Sequence, residues 1–107
     1  MSRLLVLVLA ACFGTHALAA GDAVSGKQKS EACAACHGSD GNSPAGPDFP
    51  RLAGQPSDYL LKALRDYKSG ERKNPIMGGQ VVNLSSQDMA DLAAYYSSLK
   101  GSLRVVR

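Results

Sequence analysis

The stretch Cys33-Ala34-Ala35-Cys36-His37 decides the fold of this 107-residue sequence. Two cysteines separated by two residues and followed at once by a histidine form the C-x-x-C-H pattern of covalent haem attachment. On a helix, this spacing lets both thiols reach one edge of a porphyrin, and the imidazole that follows then lies beneath the iron. We therefore predict one covalent haem c, attached through Cys33 and Cys36, with its iron bound by His37.

Three other kinds of site can contain a C-x-x-C motif. A redox-active dithiol of the thioredoxin type lies within a strand-helix-strand pattern, which this sequence lacks. A zinc site needs four ligands, whereas Cys33, Cys36 and His37 are the only cysteines and histidine after residue 20. A disulfide that closes so short a loop contributes little stability. The haem interpretation is therefore favoured, and the dithiol is the alternative left open.

The first twenty residues have the pattern of a secretory signal peptide. Arg3 precedes an apolar run over residues 4–11, and Ala17-Leu18-Ala19-Ala20 supplies an A-x-A cleavage site. The run is shorter than the roughly 20 apolar residues that cross a bilayer, so we expect export to the periplasm rather than a membrane span. The predicted organisation is a signal peptide over residues 1–20, a haem domain over 21–101 and a C-terminal tail over 102–107.

Cys12 supports a second interpretation of the N-terminus. Leu9-Ala10-Ala11-Cys12 resembles a lipobox, in which the cysteine is lipidated and tethers the protein to a membrane. The short apolar run before Cys12 and the A-x-A site after it favour ordinary cleavage, which removes this cysteine. A membrane-tethered lipoprotein is the minor alternative localisation.

The charge of the chain indicates what it does not bind. The sequence has 12 basic and 9 acidic residues, and residues 1–19 contain only one of them, Arg3, so the exported part has a net charge of +2. Two haem propionates would bring this close to zero, and the basic residues are scattered rather than clustered. The charge therefore predicts no nucleic-acid partner. Separately from the charge, we expect no small-molecule substrate and a monomeric protein.

Helical periodicity predicts three main helices and no useful strand pattern, so the expected fold class is all-α. The first helix follows the cap Asp22 and runs towards Cys33. The second begins with Ser57 as its cap and ends at Ser69-Gly70, and the third begins with the capping-box pair Ser85 and Asp88 and ends at Lys100-Gly101. The second helix has one stripe at helical spacing, formed by Tyr59, Leu60, Ala63, Leu64 and Tyr67, and the predicted buried face of the third is Met89, Leu92, Ala93, Tyr96 and Leu99.

Two long segments, residues 38–56 and 71–83, are predicted to be loops. Glycine and proline punctuate the first too densely for a helix or a central strand, and a loop of this length in a compact domain usually wraps something. The exported part has no tryptophan and only Phe49 among its phenylalanines, so its core needs a prosthetic group. The expected architecture is a small fold whose three main helices and long loops surround one haem.

Met77 is the predicted sixth ligand of the iron. Methionine is the usual partner of histidine in cytochromes c, and only Met77 and Met89 follow the signal peptide. Met89 is in register with Leu92 on the third helix, and Leu84 can pack against it, so a core position explains it. Met77 lies in the Gly-rich segment 74–79, where no helical stripe accounts for it, although packing alone is an alternative.

Together these motifs resemble class I cytochromes c, in particular the small bacterial group that includes single halves of the dihaem cytochrome c4 and the c5 and c553 types. The resemblance covers residues 21–101. It rests on five segments in order: residues 33–38, 49–55, 59–72, Met77 and 84–96. It implies a haem in a cleft between helices, with the first helix crossing the last at Gly26, near Leu92 and Tyr95. One C-x-x-C-H motif, where cytochrome c4 has two, implies one haem.

The resemblance also implies roles for residues around the haem. The carbonyl of Pro50 would accept the Nδ1 proton of His37, which fixes the imidazole and raises its basicity. Leu52 would pack on the haem. Gln55 and Arg72 are candidates for the side of the haem propionates.

The function that the resemblance implies is one-electron transfer between redox proteins of an exported respiratory chain, rather than enzyme catalysis. Two alternatives stay open. In an open-site haem sensor or small peroxidase, Met77 would be displaced, which predicts a high-spin ferric spectrum and carbon monoxide binding. In a tethered cytochrome subunit of an oxidoreductase complex, lipidated Cys12 would hold the same domain at a membrane.

Overall fold

The computed structural model describes residues 20–101, so the predicted tail and all but the last residue of the predicted signal peptide lie outside the described residues. This part of the chain contains five α-helices and no strand, which confirms the all-α fold class. The helices are α1 (Ala23–Lys29), α2 (Glu31–His37), α3 (Ser57–Ser69), α4 (Pro75–Val81) and α5 (Ser86–Ser98). Within residues 20–101, no helix has both the length and the apolar character needed to cross a membrane.

The single helix predicted from Asp22 towards Cys33 is wrong in one respect, because Ser30 divides it into α1 and α2. Asp22 caps α1 as predicted, since its carboxylate accepts a hydrogen bond from Val24 N at 3.0 Å. At Ser30 both the backbone amide and the hydroxyl donate to the carbonyl of Lys27, at 3.2 and 2.8 Å. This side chain competes for a helix carbonyl, which is how serine interrupts helices.

The start of α3 differs by one position from the prediction. Pro56, in an extended conformation, occupies the position before the helix, and Ser57 is the first helical residue. The predicted cap was therefore one residue late. The end agrees with the prediction: Gly70 has a φ of 85°, a left-handed conformation that glycine adopts without steric cost.

The segment 71–83 is not a continuous loop, because α4 lies within it. The side chain of Asn74 accepts hydrogen bonds from the amides of Ile76 and Met77, at 3.0 and 3.1 Å, and Pro75 suits the first helical position. Two glycines in a helix of seven residues hid this element, since each lowers helix propensity by about 1 kcal/mol relative to alanine.

The predicted capping box of α5 is confirmed. The Ser85 hydroxyl accepts from Asp88 N at 3.0 Å, and the Asp88 carboxylate accepts from Ser85 N at 2.9 Å. The helix ends at Ser98, and Leu99 is already extended with a ψ of 145°. The predicted end at Lys100-Gly101 was therefore two residues too far along the chain.

α1 crosses α5 at Gly26, and α3 packs against α5 as well. A Cβ atom on Gly26 would lie 2.0 Å from the carbonyl oxygen of Asp91 and 2.7 Å from the Cβ of Tyr95. The crossing predicted at Gly26, near Leu92 and Tyr95, is therefore present, and the carbonyl that Gly26 meets is that of Asp91, the residue before Leu92. The buried cluster around α5 consists of Leu60, Leu92, Ala93, Tyr95 and Tyr96.

Asp91 joins α1 to α5 from a buried position, with 3% of its surface exposed. Its carboxylate accepts hydrogen bonds from Asp22 N at 2.8 Å, Lys29 Nζ at 2.7 Å and Gln87 Nε2 at 2.8 Å. The Lys29 ammonium also pairs with Asp88 at 2.8 Å. The hydrogen bond from Lys29 lowers the pKa of Asp91 to about 2. A buried carboxylate with partners of this kind stays ionised and holds the two helices in register.

The long loop between α2 and α3 closes against α5. The carbonyl of Gly41 accepts hydrogen bonds from Leu52 N at 2.9 Å and Ala53 N at 3.2 Å, and Gly54 N donates to the carbonyl of Tyr96 at 2.9 Å. The first two bonds join the two arms of the loop to each other, and the third ties the end of the loop to α5. The loop thereby forms one wall of the cavity described next.

Candidate functional site

A cavity of about 610 Å³ lies between α2, α3, α4, α5 and the loop that follows α2. Its size is within the range of about 300–1,000 Å³ that is usual for small-molecule and cofactor pockets. All eight residues that the sequence predicted for the site line this cavity: Cys33, Cys36, His37, Pro50, Leu52, Gln55, Arg72 and Met77. The structure therefore brings together side chains from three separate parts of the sequence.

Sequence reasoning missed most of the aromatic lining. Phe49, Tyr59, Tyr67 and Tyr96 all face the cavity. The stripe predicted on α3 lies on the cavity wall, where Leu60, Ala63 and Leu64 accompany the two tyrosines of that helix. A stripe that faces a prosthetic group has the same helical period as one that faces a neighbouring helix, so periodicity alone could not distinguish them.

His37 is the last residue of α2 and is buried, with 5% of its surface exposed. Its Nδ1 lies 2.8 Å from the carbonyl oxygen of Pro50. Because a carbonyl only accepts, Nδ1 must be the protonated nitrogen, and in the neutral ring Nε2 keeps its lone pair. Phe49 packs edge-on against the imidazole, with ring centroids 6.3 Å apart. This imidazole is held in the tautomer and orientation that a metal ligand requires.

Cys33 and Cys36 are partly buried free thiols on the same helix as His37. Burial raises the pKa of the Cys33 thiol. Thiol-disulfide oxidoreductases depend on the opposite, a lowered pKa that maintains a thiolate, so the environment of Cys33 argues against the dithiol alternative. Within residues 20–101, no group of three or more His, Cys, Asp or Glu side chains could hold a bare metal ion.

The two methionines occupy different environments. Met77, on α4, is partly buried and lies on the cavity wall. Met89, on α5, is 3% exposed and is not one of the residues that line the cavity. The cap that Asn74 provides fixes the first turn of α4, where Met77 lies. Met77 is therefore the methionine that can meet a group bound in the cavity.

Arg72 provides a positive charge at the cavity. Its guanidinium lies 4.9 Å from the centroid of the Tyr67 ring, and a hydrogen bond with Tyr59 raises its pKa. Gln55 also lines the cavity, but its side-chain amide donates to the carbonyl of Arg51 at 2.6 Å. An anionic group would thus meet the guanidinium of Arg72, whereas the Gln55 amide already has a backbone partner.

The residues that line the cavity fit a covalently attached haem. Two thiols at the attachment spacing lie beside an imidazole whose Nε2 can bind iron, and a thioether lies on another wall. Much of the remaining wall is apolar, and the leucines Leu52, Leu60, Leu64, Leu84 and Leu92 contribute to it. A flat apolar ring with two carboxylates would be accommodated by such walls and by the charge of Arg72.

Comparison with known proteins agrees with this chemistry. A family model described as cytochrome c matches residues 20–100. Cytochrome c4 of Pseudomonas aeruginosa is 53% identical over 104 residues, which cover 96% of this chain and 51% of that protein. Cytochrome c-554(548) of Halomonas halodenitrificans is 45% identical over 82 residues, covering 74% of this chain and 98% of that protein. The crystal structure of reduced recombinant cytochrome c4 from Pseudomonas stutzeri has 49% identity and a TM-score of 0.73, and covers 78% of this chain and 48% of that chain. The chain spans about half the length of these cytochrome c4 proteins.

Proposed function

The chain belongs to the cytochrome c family and its cofactor is covalently bound haem c, and from this premise we propose that it carries single electrons between redox proteins of the periplasm. One observation carries the proposal. A single cavity receives Cys33, Cys36 and His37 from α2 and Met77 from α4. When bound, haem supplies the one-electron couple of its iron. The residues of this chain determine how that couple is held.

His37 would bind the iron through Nε2. Its hydrogen bond to the carbonyl of Pro50 keeps the ring from rotating and increases the electron density on the ligating nitrogen. Cys33, about one helical turn before His37, and Cys36, directly before it, would hold one edge of the porphyrin. Attachment and ligation are thus supplied by one rigid helix, which limits movement of the ligand when the oxidation state changes.

Met77 would complete the coordination with a neutral sulfur. A neutral, polarisable ligand suits both oxidation states of iron, so the coordination need not change on electron transfer. The apolar wall also keeps the change on electron transfer small, because Leu52, Leu60 and Leu92 exclude water that would otherwise reorganise around the changing charge. These features favour fast outer-sphere transfer over substrate chemistry.

Optical spectra of the exported protein, oxidised and reduced, together with a pyridine haemochrome assay, test this proposal. The expected result is one covalent haem for each chain, a low-spin ferric spectrum and a sulfur-to-iron band. Met77→Ala should remove that band, give a high-spin ferric form and allow the reduced protein to bind carbon monoxide. Met89→Leu is the matched control, because leucine replaces a buried methionine with a cost of less than about 1.5 kcal/mol and leaves the cavity wall unchanged.

Two outcomes would redirect the proposal. A wild-type protein that is already high-spin and binds carbon monoxide would be an open-site sensor or small peroxidase. An unchanged low-spin spectrum in Met77→Ala would show that Met77 is not an iron ligand.

The mass of the mature N-terminus tests localisation separately: cleavage after Ala19 or Ala20 indicates a periplasmic carrier, whereas a lipidated Cys12 indicates a membrane-tethered subunit.

A further inference from the structure

The segment 49–55 presents two groups to His37. The carbonyl oxygen of Pro50 lies 2.8 Å from Nδ1, and the ring of the preceding residue, Phe49, packs edge-on against the imidazole. His37 is buried, whereas Pro50 is exposed, so core packing does not by itself hold this carbonyl in place. The direction of the Pro50 carbonyl is therefore set by the main chain on either side of it.

The next peptide group, between Arg51 and Leu52, is held at both of its polar atoms. Its oxygen accepts a hydrogen bond from the side-chain amide of Gln55 at 2.6 Å, and its N–H donates to the carbonyl of Gly41 at 2.9 Å. A peptide group is planar, so two such bonds fix the orientation of the whole group. On the other side, the proline ring holds the φ angle of Pro50 at about −65°. The carbonyl that His37 uses lies between these two restraints.

Gln55 supplies its restraint from a partly buried position on the cavity wall. Its own backbone N–H donates to the carbonyl of Leu52 at 3.3 Å, so the residue is held in the turn that its side chain closes. Because the carbonyl of Arg51 can only accept, the atom of Gln55 that faces it is the amide nitrogen. This bond directs the amide towards the turn, whereas the resemblance placed Gln55 on the side of the haem propionates.

We propose that Gln55 is a positioning residue that holds the Pro50 carbonyl against His37, rather than a partner of the haem propionates. This inference rests on the proposed function, because its consequence for the iron needs the covalent haem. A firmly held acceptor gives the imidazole more negative character, and a more basic ligand favours ferric over ferrous iron. Gln55 therefore lowers the reduction potential, acting through the backbone of residues 50–52.

The Nδ1 proton of His37 gives a direct measure of this role. In the reduced, haem-loaded protein, NMR can follow its exchange with deuterium. Gln55→Leu should make that exchange about fivefold faster, the change expected when a hydrogen bond of ordinary strength no longer restrains the acceptor. Backbone amides of α5 are the internal reference and should exchange at their wild-type rates. Gln28→Leu, the same replacement at an exposed position of α1, is the matched control.

Spectroelectrochemical titration of the same variants supplies a second measurement. Gln55→Leu should raise the equilibrium constant for reduction about twofold, or about 18 mV at about 59 mV per tenfold change. Gln28→Leu should leave it unchanged. A propionate role for Gln55 predicts the opposite sign, because loss of a donor leaves the carboxylate less neutralised and favours the ferric iron.

A fall in the potential of Gln55→Leu, or a His37 proton that exchanges at the wild-type rate, would overturn the proposal. Equal acceleration of the α5 amides would also overturn it, because the whole fold would then be opening. If Gln55→Leu does not accumulate, Gln55→Asn decides: its amide is one methylene shorter and no longer reaches the Arg51 carbonyl, so the same two changes are expected. A wild-type protein without covalent haem would instead defeat the proposed function, before any variant is compared.

Discussion

Replacement of Gly26 by alanine tests whether the crossing of α1 and α5 holds the fold together. The added Cβ would lie 2.0 Å from the Asp91 carbonyl oxygen and 2.7 Å from the Cβ of Tyr95. Carbon atoms in good contact are about 3.5–4.0 Å apart, so the helices must separate by more than about 1 Å. Neither obstacle can rotate away, because one is main chain and the other is the first carbon of a buried side chain.

The expected loss of stability follows from two opposing contributions. Overpacking in a closely packed interior costs about 1–3 kcal/mol, and a rigid obstacle places Gly26→Ala at the upper end of that range. Alanine recovers about 1 kcal/mol through its better helix propensity. The net destabilisation is about 2 kcal/mol, and at about 4–8 °C for each kcal/mol in a domain of this size the melting temperature should fall by about 8–16 °C.

The assay is thermal unfolding of the haem-loaded protein, followed by far-ultraviolet circular dichroism and by haem absorbance. Gly79→Ala is the matched control: it makes the same chemical change in α4, where a Cβ would meet nothing within 4 Å. That control should melt at the wild-type temperature or slightly above it. If Gly26→Ala behaves like the control, the close crossing of the two helices does not determine stability and the reasoning is refuted.

Two further predictions concern acid stability and haem dependence. The pKa of Asp91 in the folded protein is about 2, below the roughly 3.9 of an unfolded chain. The contribution of its ionised carboxylate to the free energy of unfolding is therefore complete above about pH 4 and is lost as the pH falls towards 2. Asp91→Asn should therefore be less stable at pH 7 and show a shallower loss of stability with acid in urea unfolding at several pH values; a parallel pH profile would contradict this. The double variant Cys33→Ala with Cys36→Ala should be largely disordered by circular dichroism, since the core depends on the haem, and a cooperative melt like that of the wild type would refute that dependence.

The parts of the fold that the sequence predicts well are those with local causes. The capping box of Ser85 and Asp88 and the left-handed end at Gly70 depend on residues within one turn, and both are present. The break at Ser30 and the helix over residues 75–81 were missed. In each case a single side chain, the hydroxyl of Ser30 or the amide of Asn74, outweighs the average propensity of its neighbours.

The candidate site was predicted largely from one pentapeptide and from the contrast between two methionines. Met89 fits a helical stripe and Met77 does not, so the choice of Met77 as the iron ligand follows from the sequence. The loop predicted for the segment that contains Met77 was nevertheless wrong, because that segment forms α4. Tyr96 also fits a stripe, and the sequence therefore predicted a core position for it. Its place on the cavity wall, in the cluster against which Cys33 packs, arises only when α5 packs against the other helices, which no local pattern reports.

The same packing links the stability of the fold to the properties of the haem site. Asp91 and Tyr96 lie little more than one turn apart on α5, one beneath the α1 crossing and the other beside Cys33. Ser30 joins α1 to α2, so a shift of α1 away from Asp91 would also move α2, the helix that bears Cys33 and His37. A substitution at Gly26 should then disturb the haem site as well as lower the melting temperature. We therefore expect the helix crossing, although it lies outside the cavity, to influence how firmly the haem-attachment helix is held.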